Sequence, residues 1–187
     1  EALFSLDMPE KTAVCILADK EEIGSVGISG MQSHYFEHFM EGLCDAQGVK
    51  LSDCFANSFC LSADVSNAFD PNWPETCDKR NNSQLNYGVA ICKYTGSRGK
   101  GGASDASAEA MGHVRSTLDK AGVIWQIATL GKVDQGGGGT VAAYMANRNI
   151  VTVDAGVPVL SMHAPLELVS KLDCYETMLA CKAIYLA

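Results

Sequence analysis

The sequence lacks the segments that place a protein in a membrane or direct it to one. None of its 187 residues lies in an apolar run of about 18 to 20 residues, the length that crosses a bilayer. The first ten residues hold neither a basic stretch nor an apolar one, so they do not resemble a signal peptide. We therefore expect a cytoplasmic protein with no membrane partner. Because the chain begins at Glu1, we also expect it to be part of a longer or processed polypeptide.

Basic residues are scarce. The chain has 14 Lys and Arg residues against 22 Asp and Glu residues, for a formal net charge of -8. A protein that binds the nucleic-acid backbone needs a basic face, so we expect no nucleic-acid partner. Hydrophobic residues make up 47% of the chain and charged residues 19%, which is typical of a folded domain or a large piece of one.

The cysteines lack the spacing of a zinc finger or a redox site. Eight cysteines are present, but no two form a Cys-x-x-Cys pair. The chain is also longer than the small secreted domains that depend on disulfides. Several cysteines lie in apolar runs, at 13–18, 59–61 and 90–92, where a thiol behaves as a small buried hydrophobe. We predict reduced cysteines that belong to the core.

Two glycine-rich stretches, 96–102 and 136–139, lack the nucleotide-binding fingerprints. No Gly-Lys-Ser/Thr follows the second, and the first does not have the Gly-x-Gly-x-x-Gly spacing. Such loops are most often flexible connections, although glycine also lets a backbone approach a ligand closely. Arg98 and Lys100 lie in the first loop. They are candidates for binding an acidic group of a ligand, with ordinary solvated side chains as the alternative.

Apolar periodicity predicts short buried strands that alternate with helices. The predicted strands are 12–18, 57–63, 87–95, 123–130 and 150–154. The predicted helices are 31–47, one capped by Ser104 or Asp105 and running to about 120, one around 140–147, and one from near Pro165 to about 183. This alternation indicates an α/β fold, with helices that cover a largely parallel sheet.

Three predicted strand ends carry side chains that suit chemistry. Glu21 and Glu22 follow the first strand, Asp64 follows the second, and His163 follows 150–154. Ligands of such sheets bind beyond the carboxyl ends of the strands. Glu22, Asp64 and His163 form an O/O/N donor set that suits zinc, manganese or cobalt, and the neighbouring carboxylate could take a proton. Each also has an ordinary interpretation, as a solvated loop, a turn aspartate or a structural histidine.

His34 and His38 form a second candidate metal pair, because they are four residues apart in a predicted helix. However, the intervening Glu37 does not directly follow the first histidine, as the base of a metalloprotease helix does. No third ligand is apparent. We therefore favour a structural role for this pair.

Four motifs carry a resemblance to a known family. They are Asp-Lys-Glu-Glu-Ile-Gly-Ser at 19–25, Ser-Ala-Asp-Val at 62–65, Pro-Asn-Trp-Pro at 71–74 and Asp-Ala-Gly-Val-Pro-Val-Leu-Ser-Met-His-Ala at 154–164. In this order and at these separations the chain resembles the aspartyl aminopeptidases, a family of dinuclear zinc metallopeptidases. The resemblance implies a three-layer α/β/α sandwich of the zinc-exopeptidase type. Residues 1–187 would be the C-terminal part of its catalytic domain, without the N-terminal part and any inserted dimerisation domain.

The resemblance also implies roles for the strand-end residues. Glu21 would be the general base, and Glu22, Asp64 and His163 would bind two divalent ions, zinc or else manganese or cobalt. A further histidine and a bridging aspartate would lie upstream of Glu1, so this chain would be inactive alone. The implied activity is removal of the N-terminal residue of a peptide. The implied assembly is a homo-oligomer, such as a dodecamer of dimers.

The chain departs from the family where Asn67-Ala68-Phe69-Asp70-Pro71 replaces a frequent His-Ala-Val-His-Pro sequence. Both histidines of that sequence are therefore missing, and residues of this kind orient metal ligands. The preference for acidic N-terminal residues that the family's name implies does not follow for this chain. Two alternatives stay open. One is an N-acyl amino acid deacylase or carboxypeptidase on the same fold, and the other is an inactive structural or assembly subunit.

Overall fold

The computed structural model describes residues 1–132 and 134–187. Its strands are β1 (Phe59–Ser62), β2 (Ser66–Asn67), β3 (Val89–Cys92), β4 (Tyr94–Ser97), β5 (Gly101–Asp105), β6 (Trp125–Ile127), β7 (Val151–Gly156), β8 (Pro158–Leu160) and β9 (Leu168–Val169). Its helices are α1 (Tyr35–Gln47), α2 (Leu51–Ala56), α3 (Ala108–Ala121), α4 (Ala142–Ala146) and α5 (Lys171–Tyr185). Short 3-10 turns lie at Leu3–Ser5, Glu21–Ile23 and Pro74–Thr76.

The centre of the molecule is a mixed sheet with the strand order β1-β7-β3-β6. β1 runs parallel to β7 and β3 runs parallel to β6, whereas β3 and β7 are antiparallel. Side chains alternate between its faces. Phe59 and Leu61 pack towards α3 and α5, and Cys60 packs towards α1, α2 and α4. The predicted α/β fold is therefore confirmed, with helices on both faces of a mixed sheet.

Two smaller sheets continue the chain beyond the central one. β4 and β5 form a hairpin, and β2, β8 and β9 form a second sheet in which β2 is parallel to β8. The neighbouring strands β1 and β7 therefore lead into the neighbouring strands β2 and β8. Asp64 lies in the connection between β1 and β2, and His163 lies in the loop between β8 and β9. This topology carries both residues to one end of the central sheet.

Helix α3 shows how local sequence sets an element. Ser107 has an extended backbone, and its hydroxyl accepts a hydrogen bond from the Ala110 amide at 3.1 Å, which caps the helix. Val114 and Leu118 point into the core, and Gly122 ends the helix in the left-handed conformation. The predicted caps, Ser104 and Asp105, are wrong because both residues pair with β4 in the hairpin.

The predicted buried strand 12–18 is also wrong. A strand needs a neighbour for its backbone hydrogen bonds, and within residues 1–132 and 134–187 this segment pairs with none. Leu17 is 91% exposed. The Tyr185 hydroxyl donates to the Val14 carbonyl at 3.0 Å, which ties the segment to the end of α5. The apolar pattern therefore described residues that could form a strand, while pairing decides whether they do.

Other predicted boundaries of strands and helices also differ from those in the structure. The predicted strand 87–95 divides into β3 and β4, and 123–130 shortens to β6. The last helix begins at Lys171 rather than near Pro165, because Ser170 accepts from the Leu172 amide and β9 precedes it. Helix α2 was not predicted. None of the helices in the described parts of the chain has the length and apolar character that crossing a membrane requires.

All eight cysteines are free thiols in the structure. Cys44, Cys77 and Cys92 are buried, which agrees with the prediction of core residues. Cys15 and Cys174 are exposed, so the prediction is wrong for these two. Cys15 is exposed because its segment does not join the sheet, and Cys174 lies on the outer face of α5.

Asp173 provides a test of what holds α5 in place. This fully buried carboxylate accepts hydrogen bonds from the Asn86 amide at 2.8 Å and the Gly88 amide at 2.9 Å. In the full-length protein, Asp173→Ala should lower the free energy of unfolding by about 3 kcal/mol, because the buried Gly88 amide and the partly buried Asn86 amide lose their acceptor. Urea denaturation measures the change. Cys174→Ala, at the exposed next position, is the control, and equal stability of the two variants would contradict the prediction.

Candidate metal centre

The structure brings four of the predicted site residues to one end of the central sheet. Glu21 and Glu22 lie in the turn Glu21–Ile23, and Nδ1 of His163 is 3.8 Å from a carboxylate oxygen of Glu22. The charges of Glu22, Asp64 and His163 each act on Glu21. Residues separated by 42 and 99 positions along the chain therefore share one site.

The electrostatics of this site are those of crowded carboxylates. Burial raises the pKa of Glu21, the charges of Asp64 and Glu22 raise it further, and His163 opposes the shift. Burial likewise raises the pKa of Asp64, the Val65 amide lowers it, and the charge of Glu22 raises it. Like charges held close together disfavour ionisation. A cation placed among them would relieve this repulsion.

The donor set fits a zinc ion in part. Carboxylate oxygens and imidazole nitrogens are zinc ligands, and two ligands of a tetrahedral zinc ion are about 3.4 Å apart. The Glu22–His163 separation of 3.8 Å is close to that value. Among the residues that the structure describes, no three His, Cys, Asp or Glu side chains converge closely enough to enclose an ion. This chain therefore supplies suitable ligands, with one pair near the required spacing.

Unusual backbone conformations surround the site. Lys20 and Gly24, which flank the acidic turn, and Ser161 and His163 all have φ between 60° and 91°. For residues other than glycine this region costs about 1–3 kcal/mol and persists where the surroundings impose it. The Glu167 carboxylate contributes by accepting from the His163 amide at 2.5 Å. Residue type did not reveal this feature, because lysine, serine and histidine rarely adopt it.

Asp154 is a neighbour of the site that sequence reasoning treated only as part of a motif. It is buried within β7, pairs in register with Ser62, the last residue of β1, and accepts a hydrogen bond from the Thr140 hydroxyl. Burial raises its pKa to about 6, and the charges of Asp64 and Glu21 contribute to the rise. An aspartate at the end of the apolar run 150–153 was the signal that could have identified it.

Gly156, the last residue of β7, lies directly against the backbone of Asp64. A Cβ at this position would lie 1.0 Å from the carbonyl oxygen of Asp64. β7 and the Asp64 segment can therefore lie against each other only because position 156 has no side chain.

The remaining predicted residues lie outside this cluster. Arg98 and Lys100 are exposed on the β4–β5 hairpin, and neither side chain forms an ion pair or hydrogen bond within the described residues. The Arg98 amide donates to the Gly136 carbonyl at 2.8 Å, which joins the two glycine-rich stretches.

The second candidate metal pair also lies outside the cluster. Nδ1 of His34 lies 2.5 Å from Glu37, whose other oxygen binds Arg148 at 2.7 Å. The favoured structural role of His34 agrees with these contacts.

Comparison with known families gives a match along almost the whole chain. Residues 1–185 match the family model described as Aminopeptidase I zinc metalloprotease (M18). The chain belongs to the M18 family. The resemblance predicted from the four motifs is thereby confirmed, and zinc is the metal that the family description names.

Relatives of this M18 chain are found in several bacteria. It is 49% identical over 181 residues to a probable M18 family aminopeptidase 1 of Clostridium acetobutylicum, covering 95% of this chain and 39% of that protein. It is 45% identical over 192 residues to its counterpart in Borreliella burgdorferi strain ZS7, covering 99% of this chain and 42% of that protein. The chain therefore spans about 40% of the length of these relatives.

Solved structures show the same fold. The M18 aminopeptidase of Thermotoga maritima superimposes with a TM-score of 0.94 at 43% identity, over 98% of this chain and 42% of that one. Aminopeptidase I of Clostridium acetobutylicum gives a TM-score of 0.91 at 47% identity, over 100% and 40%. The mApe1 dodecamer of S. cerevisiae gives 0.73 at 26% identity, over 89% and 36%.

Proposed function

We propose that the full-length protein containing this M18 chain is a zinc aminopeptidase that removes the N-terminal residue of peptides. The supporting observation is the grouping of Glu21, Glu22, Asp64 and His163 at one end of the sheet. Residues 1–187 would be the C-terminal part of its catalytic domain. The match covers 39% of the Clostridium protein, which supports a part rather than the whole. The remaining polypeptide would supply a histidine and a bridging aspartate.

In this proposal Glu22, Asp64 and His163 bind two divalent ions, zinc or else manganese or cobalt. Zinc, when bound, polarises a scissile carbonyl and lowers the pKa of water. The Glu21 carboxylate accepts a proton from the attacking water and passes it to the leaving amine. Its partial burial and its two acidic neighbours support this role, because they favour a carboxylate that accepts protons readily.

Substrate binding, assembly and location complete the proposal. Arg98 and Lys100, exposed on a hairpin, are candidates for contacting an acidic group of the substrate. A homo-oligomer is supported by the dodecamer of mApe1 from S. cerevisiae, which has half as many subunits as a dodecamer of dimers. We also propose that the protein is cytoplasmic.

A comparison of blocked and unblocked substrates tests the function. The full-length protein should hydrolyse a peptide with a free α-amine and leave its N-acetylated form and N-acyl amino acids intact. A chelator should abolish the activity and added zinc should restore it. Preference for the acylated substrate would indicate a deacylase. No hydrolysis, with less than about one zinc ion per chain at micromolar zinc, would indicate an inactive assembly subunit.

A further inference from the structure

The acidic turn has little support of its own. Glu21–Ile23 is a 3-10 turn of three residues, closed by hydrogen bonds from the Gly24 amide to Glu21 and from the Ser25 amide to Lys20. Lys20 and Ser25 hold left-handed conformations, which are unfavourable for residues with a Cβ. A turn of this kind keeps its shape only where other parts of the protein hold it.

Two side chains from outside the turn hold the Gly24 carbonyl. The side-chain amide of Gln32 donates to this carbonyl at 2.6 Å, and the Tyr144 hydroxyl donates to it at 3.3 Å. The Gln32 amide nitrogen is also 3.3 Å from the Tyr144 hydroxyl. The backbone amide of Gln32 takes the next carbonyl, that of Ser25, at 3.0 Å. The two residues thus close a small hydrogen-bonded network on the end of the acidic turn.

Arg148 fixes both members of this network. Its guanidinium donates to the Tyr144 carbonyl at 2.8 Å and to the Met31 carbonyl, directly before Gln32, at 3.1 Å. Its Nε donates to Glu37 at 2.7 Å, and its side chain is 13% exposed. Mostly buried, charge-assisted hydrogen bonds of this kind are strong and hold their geometry. The backbone positions of Gln32 and Tyr144 are therefore set by one side chain.

Helix α4 also reaches the other side of the metal centre. Thr140, just before the helix, donates to Asp154, which lies near Asp64. Tyr144, on the helix, holds the turn with Glu21 and Glu22. Helix α4 and the residue before it therefore connect the backbone of the acidic turn with Asp154 of β7.

We infer that Tyr144 and Gln32 are positioning residues, which hold the Gly24 carbonyl and so set where the Glu21 and Glu22 carboxylates lie relative to Asp64 and His163. Within the described residues, neither side chain forms a hydrogen bond with the side chain of Glu21, Glu22, Asp64 or His163. The inference rests on the proposed function for its kinetic consequences, whereas its consequence for zinc affinity depends only on Glu22 being a ligand.

Tyr144→Phe in the full-length protein removes the hydroxyl and keeps the ring. One hydrogen bond is worth about 2- to 10-fold, so we expect zinc affinity to fall by that factor and kcat to fall similarly, with KM for the peptide nearly unchanged. Gln32→Met keeps the length of the side chain without its amide donor. Together the two substitutions should lower zinc affinity by about 10- to 100-fold, the usual effect of losing residues that orient metal ligands.

Tyr185→Phe is the matched control, because its hydroxyl also donates to a backbone carbonyl, that of Val14 at 3.0 Å. Competition with a chromophoric chelator measures zinc affinity, and thermal unfolding shows whether each variant is folded. Wild-type zinc affinity in both Tyr144→Phe and Gln32→Met, or an equal loss in Tyr185→Phe, would overturn the inference. If the wild-type protein hydrolyses no peptide, the proposed function fails, but the zinc affinities still decide whether the two residues position the turn.

Discussion

Glu21→Gln in the full-length protein is expected to bind zinc as the wild type does and to lose about 10²- to 10⁴-fold in kcat/KM. Glutamine has nearly the same shape and can donate and accept hydrogen bonds, but it cannot take a proton from water. The loss should therefore appear in kcat, with little change in KM. Steady-state kinetics on a free-amine peptide, together with zinc titration, measure both quantities.

Two other substitutions make this result specific. Glu22→Gln, one residue along, should weaken zinc binding, because a neutral amide replaces a charged ligand. Glu41→Gln, at an exposed position of α1, should leave both activity and zinc affinity unchanged. Near-normal turnover by Glu21→Gln would exclude Glu21 as the base. Loss of zinc from Glu21→Gln alone would instead assign the ligand role to Glu21.

Gly156→Ala is expected to disrupt the candidate metal centre by displacing the backbone of Asp64. The added Cβ would lie 1.0 Å from the Asp64 carbonyl oxygen and 2.3 Å from its carbonyl carbon, so β7 and the Asp64 segment must separate. Forcing atoms into a packed position costs about 1–3 kcal/mol, and we expect a loss of about 3 kcal/mol in the free energy of unfolding. Displacement of Asp64 should also lower zinc affinity by 10-fold or more. Urea denaturation and zinc titration of the full-length variant test both effects.

Gly112→Ala provides the comparison, because an added Cβ at this position of α3 meets nothing within 4 Å. Alanine favours a helix over glycine by about 0.5–1 kcal/mol, so this variant should be slightly more stable than the wild type. The same chemical change thus has opposite expected signs at the two positions. Equal stability and zinc affinity of both variants would show that β7 and the Asp64 segment do not touch as described.

Several parts of the fold were readable from the sequence because local interactions determine them. Helix α3 follows from apolar residues at helical spacing and from Gly122 at its end, all within a few turns of chain. Strands β1 and β7 follow from short apolar runs. The strand-end residues Glu21, Glu22, Asp64 and His163 were readable in a weaker sense, since their chemical types suited a metal and the motif order matched a family.

Other features depended on partners far away in the chain. Residues 12–18 have the composition of a strand, yet a strand exists only where a neighbouring backbone completes its hydrogen bonds. No local pattern indicates such a neighbour. For the same reason Arg98 and Lys100, conspicuous as charges in a glycine-rich loop, could not be assigned to a site from their position in the sequence.

The sequence by itself determined the α/β class, the family and the four residues grouped in the candidate metal centre. Tertiary structure alone decided how those residues are held. It set the left-handed turn at Lys20 and Gly24, the close contact of Gly156 with the Asp64 backbone, and the hydrogen bond from Tyr144 to the Gly24 carbonyl, 120 residues away. The physical reason is range. Propensity and periodicity act over one or two turns of chain, whereas the geometry of this site depends on contacts that form only after the sheet and its helices have packed.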